Sequence, residues 1–263
     1  MPYVQICSAL ILAIVVLGIG GCELENHRNQ TQVSKKSAIK SLNREISVPE
    51  GKISRLSERK QRFIQTLLPL IKKENKLILG TRTSLKLMTR KASLITSDHI
   101  FIKKLARDYR VKNDDLSHQQ LVQKLLHRVD VLPADLVLAQ AAMETAWGSS
   151  RFAKQANNYF GQWCFTRGCG LVPAEREEGK RHEVRRFVNP AESVSAYMKN
   201  INSHPSYQAL RDVRYKYRER KEIVAGDELA EGLVSYSQIG TKYVLAIRDI
   251  IKSNGLRQLT VAI

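Results

Sequence analysis

PADLVLAQAAMETAWG, the stretch from Pro133 to Gly148, predicts a helix with a buried face and a carboxylate near its end. Pro133 suits the first helical turn, where its missing N–H costs nothing. Gly148 is the predicted end, because glycine tolerates the left-handed conformation of a helix cap. Glu144 would therefore lie in the last turn of a mostly apolar helix. The apolar residues of one face recur at helical spacing: Leu136, Ala139, Met143 and Trp147.

The predicted position of Glu144 has a chemical consequence. The C-terminal end of a helix carries partial negative charge, which disfavours an ionised carboxylate. Apolar surroundings act in the same direction, because burial penalises the charged form. Both effects should raise the pKa of Glu144, and a carboxylic acid that is still protonated near neutral pH can protonate the leaving oxygen of a glycoside. The alternative is an exposed helix-end residue without a chemical role.

Two motifs and a later pair of tyrosines carry a resemblance to a known family. AQAAMETAWGSSRFA, at residues 139–153, is followed by NNYFG at Asn157 to Gly161. These motifs resemble the glucosaminidase domain of glycoside hydrolase family 73, and in particular its Bax-like bacterial branch, over about residues 95–256. The resemblance implies a lysozyme-like fold, mainly α (α+β), that cleaves the N-acetylglucosaminyl linkage of peptidoglycan. No cofactor is predicted.

The resemblance also implies roles for individual residues. The turn residues Asn158, Phe160 and Gly161 would line the floor of the glycan cleft, and Trp147 would contact substrate beside them. Their other reading is turn chemistry around a core phenylalanine, and the two readings are compatible. Tyr236 would form a hydrogen bond near the scissile sugar and orient that sugar or its N-acetyl group. Tyr243 is assigned to the same substrate site, although a structural role suits it better.

A second catalytic group is harder to assign. The segments LVPAER and HEVRRF flank the turn-like EEGK and predict one β-hairpin at the side of the cleft. Glu175 matches the family position for a second carboxylate, and Glu183 is its competitor; either could activate water from the opposite face. The other possibility, which we favour, is attack by the substrate's own N-acetyl oxygen, with Tyr236 positioning it.

Composition limits the classes of function. The 263 residues allow one domain of lysozyme size and an extension. Lys and Arg exceed Asp and Glu by 43 to 25, for a net charge of +18. A basic surface favours polyanions such as nucleic acid, anionic lipid or an acidic cell wall, and the alternative is a solvated face that keeps the chain soluble. An apparent export signal argues against nucleic acid.

Residues 1–22 predict a lipoprotein signal peptide. An uncharged run ends in Ile19-Gly20-Gly21-Cys22, which resembles a bacterial lipobox with Cys22 as the lipidated residue. The preceding MPYVQ lacks Lys and Arg, so an uncleaved anchor or a misassigned start codon are the alternatives. We therefore expect a periplasm-facing lipoprotein of the bacterial cell envelope, in the inner or the outer membrane. Residues 23–52 are polar and predict a flexible tether.

The rest of the chain predicts helices. Residues 53–95 form a helical N-terminal extension that Pro69 kinks or divides. The predicted catalytic domain covers residues 96–256, and residues 257–263 form a tail. Ser117 and Gln120 match a capping box, Ser149 can cap a short helix, and Asn189 opens a further helix. The basic run RDVRYKYRERKE, at residues 211–222, predicts an exposed helix face.

Cys164 and Cys169 lie five residues apart, and an oxidising periplasm would permit a disulfide between them. Free thiols are the alternative. No histidines stand at metal-ligand spacing from these cysteines, so we predict no metal site.

The predicted function is therefore an endo-β-N-acetylglucosaminidase that hydrolyses peptidoglycan with Glu144 as general acid. A muramidase or lytic transglycosylase is the alternative among enzymes. An inactive, lipid-anchored protein that binds the cell wall is the alternative from another class. The sequence leaves the oligomeric state open.

Overall fold

The computed structural model describes residues 56–112, 115–174, 176, 179–222 and 224–260. This part of the chain is mainly helical with one small antiparallel sheet, which confirms the predicted fold class. Within it, no helix combines the length and the apolar character that crossing a membrane requires. The helices are α1 (Glu58–Met88), α2 (Thr96–Asp108), α3 (His118–Arg128), α4 (Ala134–Thr145), α5 (Arg151–Ala156), α6 (Pro190–Ser203), α7 (Gln208–Glu219), α8 (Gly226–Leu229) and α9 (Thr241–Ser253). Single 3₁₀ turns cover Pro205–Tyr207, Ala230–Leu233 and Leu256–Leu259, and the strands are β1 (Trp163–Cys164), β2 (Gly170–Leu171) and β3 (Glu183–Arg185).

Helix α4 lies at the centre of the core. Every residue from Ala134 to Ala142 is buried, so this helix is enclosed on all sides and not on one face as predicted. A helix that is apolar all round needs neighbours on every side. Its neighbours are α1, α8, α9 and the 3₁₀ turn Leu256–Leu259. The core of the domain therefore fixes the direction of α4 and the position of its last turn.

The chain turns sharply where α4 ends. The helix stops at Thr145, and the left-handed conformation begins at Ala146 (φ 47°), continues through Trp147 (60°) and ends at Gly148 (76°). The predicted stop at Gly148 is therefore wrong by two residues. Thr145 stabilises the turn, since its hydroxyl donates to the Ala141 carbonyl at 2.6 Å and accepts the Gly148 N–H at 2.9 Å.

Helix α1 runs without interruption over 31 residues and contains Pro69, so the predicted division at this proline is wrong. The helix packs against α3, α4 and α6. Its buried apolar residues, from Phe63 to Leu85, belong to the same core cluster as α4 and α9. Loss of α1 would therefore expose the central core.

The sheet has the strand order β1-β3-β2. Leu171 pairs with Val184, which confirms the predicted β2–β3 pair, and Trp163 of the additional strand β1 pairs with the other side of Val184. The predicted disulfide between Cys164 and Cys169 is confirmed, and it closes the loop between β1 and β2.

Two predicted helix starts are confirmed and one is corrected. Ser117 and Gln120 exchange both hydrogen bonds of a capping box, at 3.3 and 2.9 Å. Asn189 accepts the N–H of Glu192 at 3.1 Å. Ser150, and not Ser149, caps α5, because its hydroxyl is the one that accepts the Ala153 N–H.

The basic helix α7 is not the exposed face that its composition predicts. The side chains of Arg211 and Arg214 are buried, with 0 % and 3 % of their surface exposed. Arg211 donates to the carbonyls of Ile201 and His204, both at 2.8 Å, where α6 ends. Carbonyls at a helix end lack partners within the helix and carry partial negative charge, so they can hold a buried cation.

Candidate active site

Glu144 is the next-to-last residue of α4, and its side chain is half-buried. Its Oε1 accepts a hydrogen bond from the Tyr243 hydroxyl at 3.0 Å. Burial raises the pKa of the Glu144 carboxyl, and the bond from Tyr243 opposes this effect without cancelling it. The direction of the shift agrees with the expectation from sequence, although its largest cause is burial and not the helix end.

A chain of buried hydrogen bonds fixes the tyrosine that holds Glu144. Tyr197 donates to Oε1 of Gln140, and Nε2 of Gln140 donates to the Tyr243 hydroxyl at 3.1 Å. Tyr243 then donates to Glu144. Gln140 lies one helical turn before Glu144, so α4 supplies both residues that bond to the Tyr243 hydroxyl. As a result Oε1 of Glu144 is occupied, and Oε2 is the oxygen left for a ligand.

Gly161 borders that second oxygen. A Cβ at this position would lie 3.2 Å from Oε2 of Glu144, and it would meet no other atom within 4 Å. Gly161 also has a positive φ of 63°, which favours glycine. The missing side chain therefore leaves methyl-sized space beside the carboxyl group, and any side chain at this position would crowd Oε2.

The NNYFG turn holds Gly161 beside the acid, and its Asn158 and Phe160 are buried. Asn158 is fully buried, donates to the carbonyls of Gln162 and Arg185 at 2.9 Å each, and accepts the N–H groups of Phe160 and Gln162. The predicted substrate contact of Asn158 is corrected accordingly, because the side chain is enclosed and its hydrogen-bonding groups are used. Phe160 is likewise buried, stacked on Tyr197 at 4.0 Å, so its ring does not line a cleft either. Both residues position the turn.

Tyr236 stands beside the carboxyl group and its tyrosine partner. It is half-buried, its hydroxyl donates to the Phe160 carbonyl at 3.1 Å, and its ring stacks on Tyr243 with 5.2 Å between centroids. Burial raises the pKa of both Tyr236 and Tyr243, so both hydroxyls stay protonated. The structure thus brings Glu144, Gly161, Tyr236 and Tyr243 together.

Trp147 follows Glu144 through the left-handed turn. Its ring packs edge-on against Phe63 at 5.4 Å, and Nζ of Lys60 lies 4.7 Å above its centroid. The ring is half-buried, and its predicted contact with substrate stays a prediction.

The two candidates for a second carboxylate differ. Glu175 lies outside the described residues. Glu183 is 5 % exposed, and its carboxylate oxygens accept the N–H groups of Gly168 and Gly170 at 2.9 and 2.8 Å. These two bonds lower the pKa of Glu183. The prediction that Glu183 activates water is corrected, because the carboxylate holds the disulfide loop and is closed off from solvent.

Sequence reasoning missed three residues of this arrangement: Gln140, Tyr197 and Tyr207. Gln140 had a signal, since it is a lone amide in the apolar part of α4, one turn before the glutamate. Tyr197 and Tyr207 had none, because their rings reach the Tyr236 ring only through the tertiary fold, at 6.4 and 6.0 Å.

The chain is similar to several known proteins. Residues 119–256 match the model of the glucosaminidase family, described as mannosyl-glycoprotein endo-beta-N-acetylglucosaminidase. The chain is 30 % identical over 211 residues to Protein bax of Escherichia coli strain K12, a match that covers 80 % of this chain and 75 % of the relative. The catalytic domain of the autolysin Auto from Listeria monocytogenes aligns with a TM-score of 0.37 and 20 % identity, over 66 % of this chain and 93 % of that domain. With more than half of its length matched, the chain belongs to the glucosaminidase family of glycoside hydrolases.

Proposed function

We propose that Glu144 is the general acid of an endo-β-N-acetylglucosaminidase that cleaves the glycan strands of peptidoglycan. One observation carries the proposal: a carboxyl group with a raised pKa has Oε1 held by Tyr243 and Oε2 beside the open space at Gly161. Family membership supplies the bond that is cleaved. Peptidoglycan as the polymer is supported by the resemblance of the sequence motifs to family 73 glucosaminidase domains and by the export pattern of residues 1–22. The net charge of +18 suits an acidic wall polymer.

In the first step Oε2 of Glu144 donates its proton to the glycosidic oxygen as the bond to C1 breaks. Protonation turns a poor leaving group into a neutral sugar hydroxyl. The hydrogen bond from Tyr243 stabilises the carboxylate that this transfer produces. Gln140 keeps Tyr243 aimed at Glu144, so the acid does not rotate away during turnover.

The second group in this proposal comes from the substrate. The oxygen of the N-acetyl group attacks C1 while the bond breaks, which is a recognised exception to the use of two carboxylates. Tyr236 supports this route because its proton is committed to the Phe160 carbonyl, so its free lone pair can accept the acetamido N–H. Water then opens the cyclic intermediate, with the Glu144 carboxylate taking the proton of that water. The product should keep its anomeric configuration, and NMR of the fresh hydrolysate can measure that configuration before it equilibrates.

Analysis of digested peptidoglycan tests the proposal. Mass spectrometry should find reducing-end N-acetylglucosamine among the products. Reducing-end N-acetylmuramic acid would assign a muramidase, and an anhydro sugar would assign a lytic transglycosylase. Binding to the polymer without any product would leave only the inactive wall-binding protein.

Removing the phenolic hydroxyl with Tyr243→Phe should shift the pH dependence of the reaction. The bond from Tyr243 favours the ionised form of Glu144, so its loss raises the pKa of Glu144 further. The acid then stays protonated to higher pH, and the alkaline limb of the kcat/KM profile moves up. We also expect a loss of about ten- to a hundredfold at the optimum, since a bond to a charged group contributes roughly 1.5–3 kcal/mol. Tyr217→Phe is the matched control, and an unmoved alkaline limb in Tyr243→Phe would contradict the assignment.

Gly161→Ala should lower kcat/KM by about tenfold or more, because the new Cβ stands 3.2 Å from Oε2 of Glu144, where substrate must approach. The positive φ of Gly161 adds a stability cost of roughly 1–2 kcal/mol, so melting curves must accompany the kinetics. Gly179→Ala is the matched control, since φ is 80° there and no atom lies within 4 Å of the added Cβ. Equal activities of the two variants would count against the open space at Gly161.

The proposal includes a place in the cell. Cys22 lies outside the described residues, and its lipidation is proposed from the lipobox-like sequence that precedes it. In a bacterial host, labelled palmitate should be incorporated into the chain and Cys22→Ala should abolish the label. Labelling that persists in this variant would remove the lipid anchor from the proposal.

A further inference from the structure

Two large aromatic side chains lie exposed at β1, one within the strand and one directly after it, and the catalytic steps above leave them without a role. Trp163 is 56 % exposed and Phe165 is 73 % exposed. One face of the Trp163 ring is covered by His182, at 4.0 Å between centroids and 21° between planes. Single exposed apolar residues are ordinary, but two exposed rings only two residues apart in the chain indicate a binding surface.

The sheet holds these rings in a fixed place. Trp163 is paired with Val184 in the strand ladder, and the next residue, Cys164, is tied by its disulfide to Cys169. Glu183 follows His182 directly and clamps the same loop through two backbone N–H groups. Two crosslinks of different chemistry therefore fix the two strands that carry Trp163 and His182. A rigid surface of this kind loses little conformational entropy when a ligand binds.

The strand that carries Trp163 begins beside the proposed active site. Gly161, which borders Oε2 of Glu144, precedes Trp163 by two residues. The Cα atoms of Gly161 and Trp163 are therefore at most ~7.6 Å apart, which brings the backbone of Trp163 close to the glycine that borders the acid. Asn158 bonds the carbonyls of both Gln162 and Arg185, and it thereby joins the turn at the acid to the strand behind Trp163.

We propose that Trp163, backed by His182, is a stacking platform for a sugar ring of the same glycan strand, next to the ring that is cleaved. The inference rests on the proposed function. A pyranose presents a face of C–H groups, and a flat aromatic ring removes that face from water while it leaves the equatorial hydroxyls free. Trp163 therefore acts in binding the long polymer and not in the chemical step.

Binding of purified insoluble peptidoglycan, measured by co-sedimentation, tests the platform. The measurements use the Glu144→Gln background, so that the polymer stays intact. Adding Trp163→Leu keeps an apolar side chain against His182 but removes the flat face, and we expect the affinity to fall about tenfold, which corresponds to ~1.4 kcal/mol. Trp163→Tyr keeps a flat ring, so its affinity should stay within about threefold of that of the background protein, a difference below ~0.7 kcal/mol. Ile100→Ala, an exposed apolar position on α2, is the matched control.

Two results would overturn the platform: equal affinities of the leucine and tyrosine variants, or no binding by the background protein. Thermal melts identify a variant that has lost its fold. If Trp163→Leu is lost in this way, His182→Ala replaces it, because it removes the ring that backs Trp163, and unchanged affinity in folded His182→Ala would then contradict the platform. Turnover by the otherwise wild-type enzyme is measured separately. An enzyme that cleaves peptidoglycan without dependence on Trp163 refutes the platform alone, whereas binding that depends on Trp163 without any cleavage refutes the proposed function alone.

Discussion

Glu144→Gln should lower kcat/KM on peptidoglycan by roughly 10²–10⁴-fold, the range expected when a general acid is lost. The glutamine side chain has the same shape and its oxygen can still accept the hydrogen bond from Tyr243, so the hydrogen-bond chain to Tyr197 survives. Only the transferable proton is removed. Release of reducing sugar from purified peptidoglycan is the measurement. The matched control is Glu231→Gln, an exposed carboxylate that should keep full activity.

The same substitution should make the fold more stable at neutral pH. The folded-state pKa of Glu144 lies above its unfolded value, so the folded chain binds more protons between these two values. Stability of the wild type therefore falls as pH rises from about 4.3, the ordinary glutamate pKa, and stays lower above the raised value. The glutamine variant lacks this loss. Melting temperatures should match at low pH and separate at neutral pH.

Full activity of Glu144→Gln would end the assignment of the acid. An inactive variant with an unchanged melting profile would retain the catalytic role but remove burial as the cause of the shifted pKa. The two measurements therefore separate the role of the residue from the physical reason given for it.

Local signals in the sequence predicted the elements that need only local physics. The apolar run of α4 predicted the helix and placed Glu144 in its last turn, as the structure shows. The pairs Ser117–Gln120 and Asn189–Glu192 gave two helix starts, because a side chain that caps a helix acts on N–H groups two or three residues away. The five-residue spacing of the cysteines gave the disulfide.

Other features depend on residues far apart in the chain, and local patterns do not contain them. Tyr243 reaches Glu144 across 99 positions and Gln140 across 103. Arg211 and Arg214 of α7 look like part of a solvated face in the sequence, yet their partners include carbonyls at the ends of α6 and α3. The stop of α4 at Ala146 also escaped, since a left-handed alanine is disfavoured unless the surrounding packing requires it.

The catalytic proposal depends on this packing as much as on its acid. The carboxyl group is placed by α4, its hydrogen-bond partner by α9, and the open space beside it by the turn before β1. Helix α4 is in turn preceded by Asp130 and Val131, where the arginines of α1 and α7 converge. A defect in that buried charge cluster would therefore reach the active site through the start of α4.

Asp130→Asn should be the most destabilising single change of a polar residue in the described core. The Asp130 carboxylate is 2 % exposed, and it accepts two bonds from Arg218, at 3.1 and 2.5 Å. Arg82 lies 3.5 Å away, and Arg214 donates to the Asp130 backbone carbonyl. Burial lowers the pKa of Arg214 to about 10, which shows how poorly this interior hydrates a cation. Removing the anion leaves buried guanidinium groups without their counter-charge, at a cost of roughly 3–5 kcal/mol.

The difference in stability between wild type and Asp130→Asn should depend on pH, and the shift in the pKa of Asp130 gives the direction. Burial alone would raise the pKa of Asp130, but the charge of Arg214 and the hydrogen bond from Arg218 outweigh burial and lower it. A carboxyl group with a lowered folded pKa contributes its stability above the unfolded value of about 3.9 and loses it as pH falls through the folded value. Wild type and Asp130→Asn should therefore differ most at neutral pH and approach each other in acid.

Denaturant unfolding at neutral pH is the measurement, with Asp108→Asn as the matched control. Asp108 also pairs with a cation, Lys104 at 2.6 Å, but this pair is exposed on one helix face and should contribute less than about 1 kcal/mol. Adding Arg82→Met to Asp130→Asn removes one of the orphaned charges, so the double variant should lose less stability than the sum of the two single variants. Simple additivity, or a change in Asp130→Asn no larger than in the control, would mean that the helix-end carbonyls alone suffice to hold these arginines.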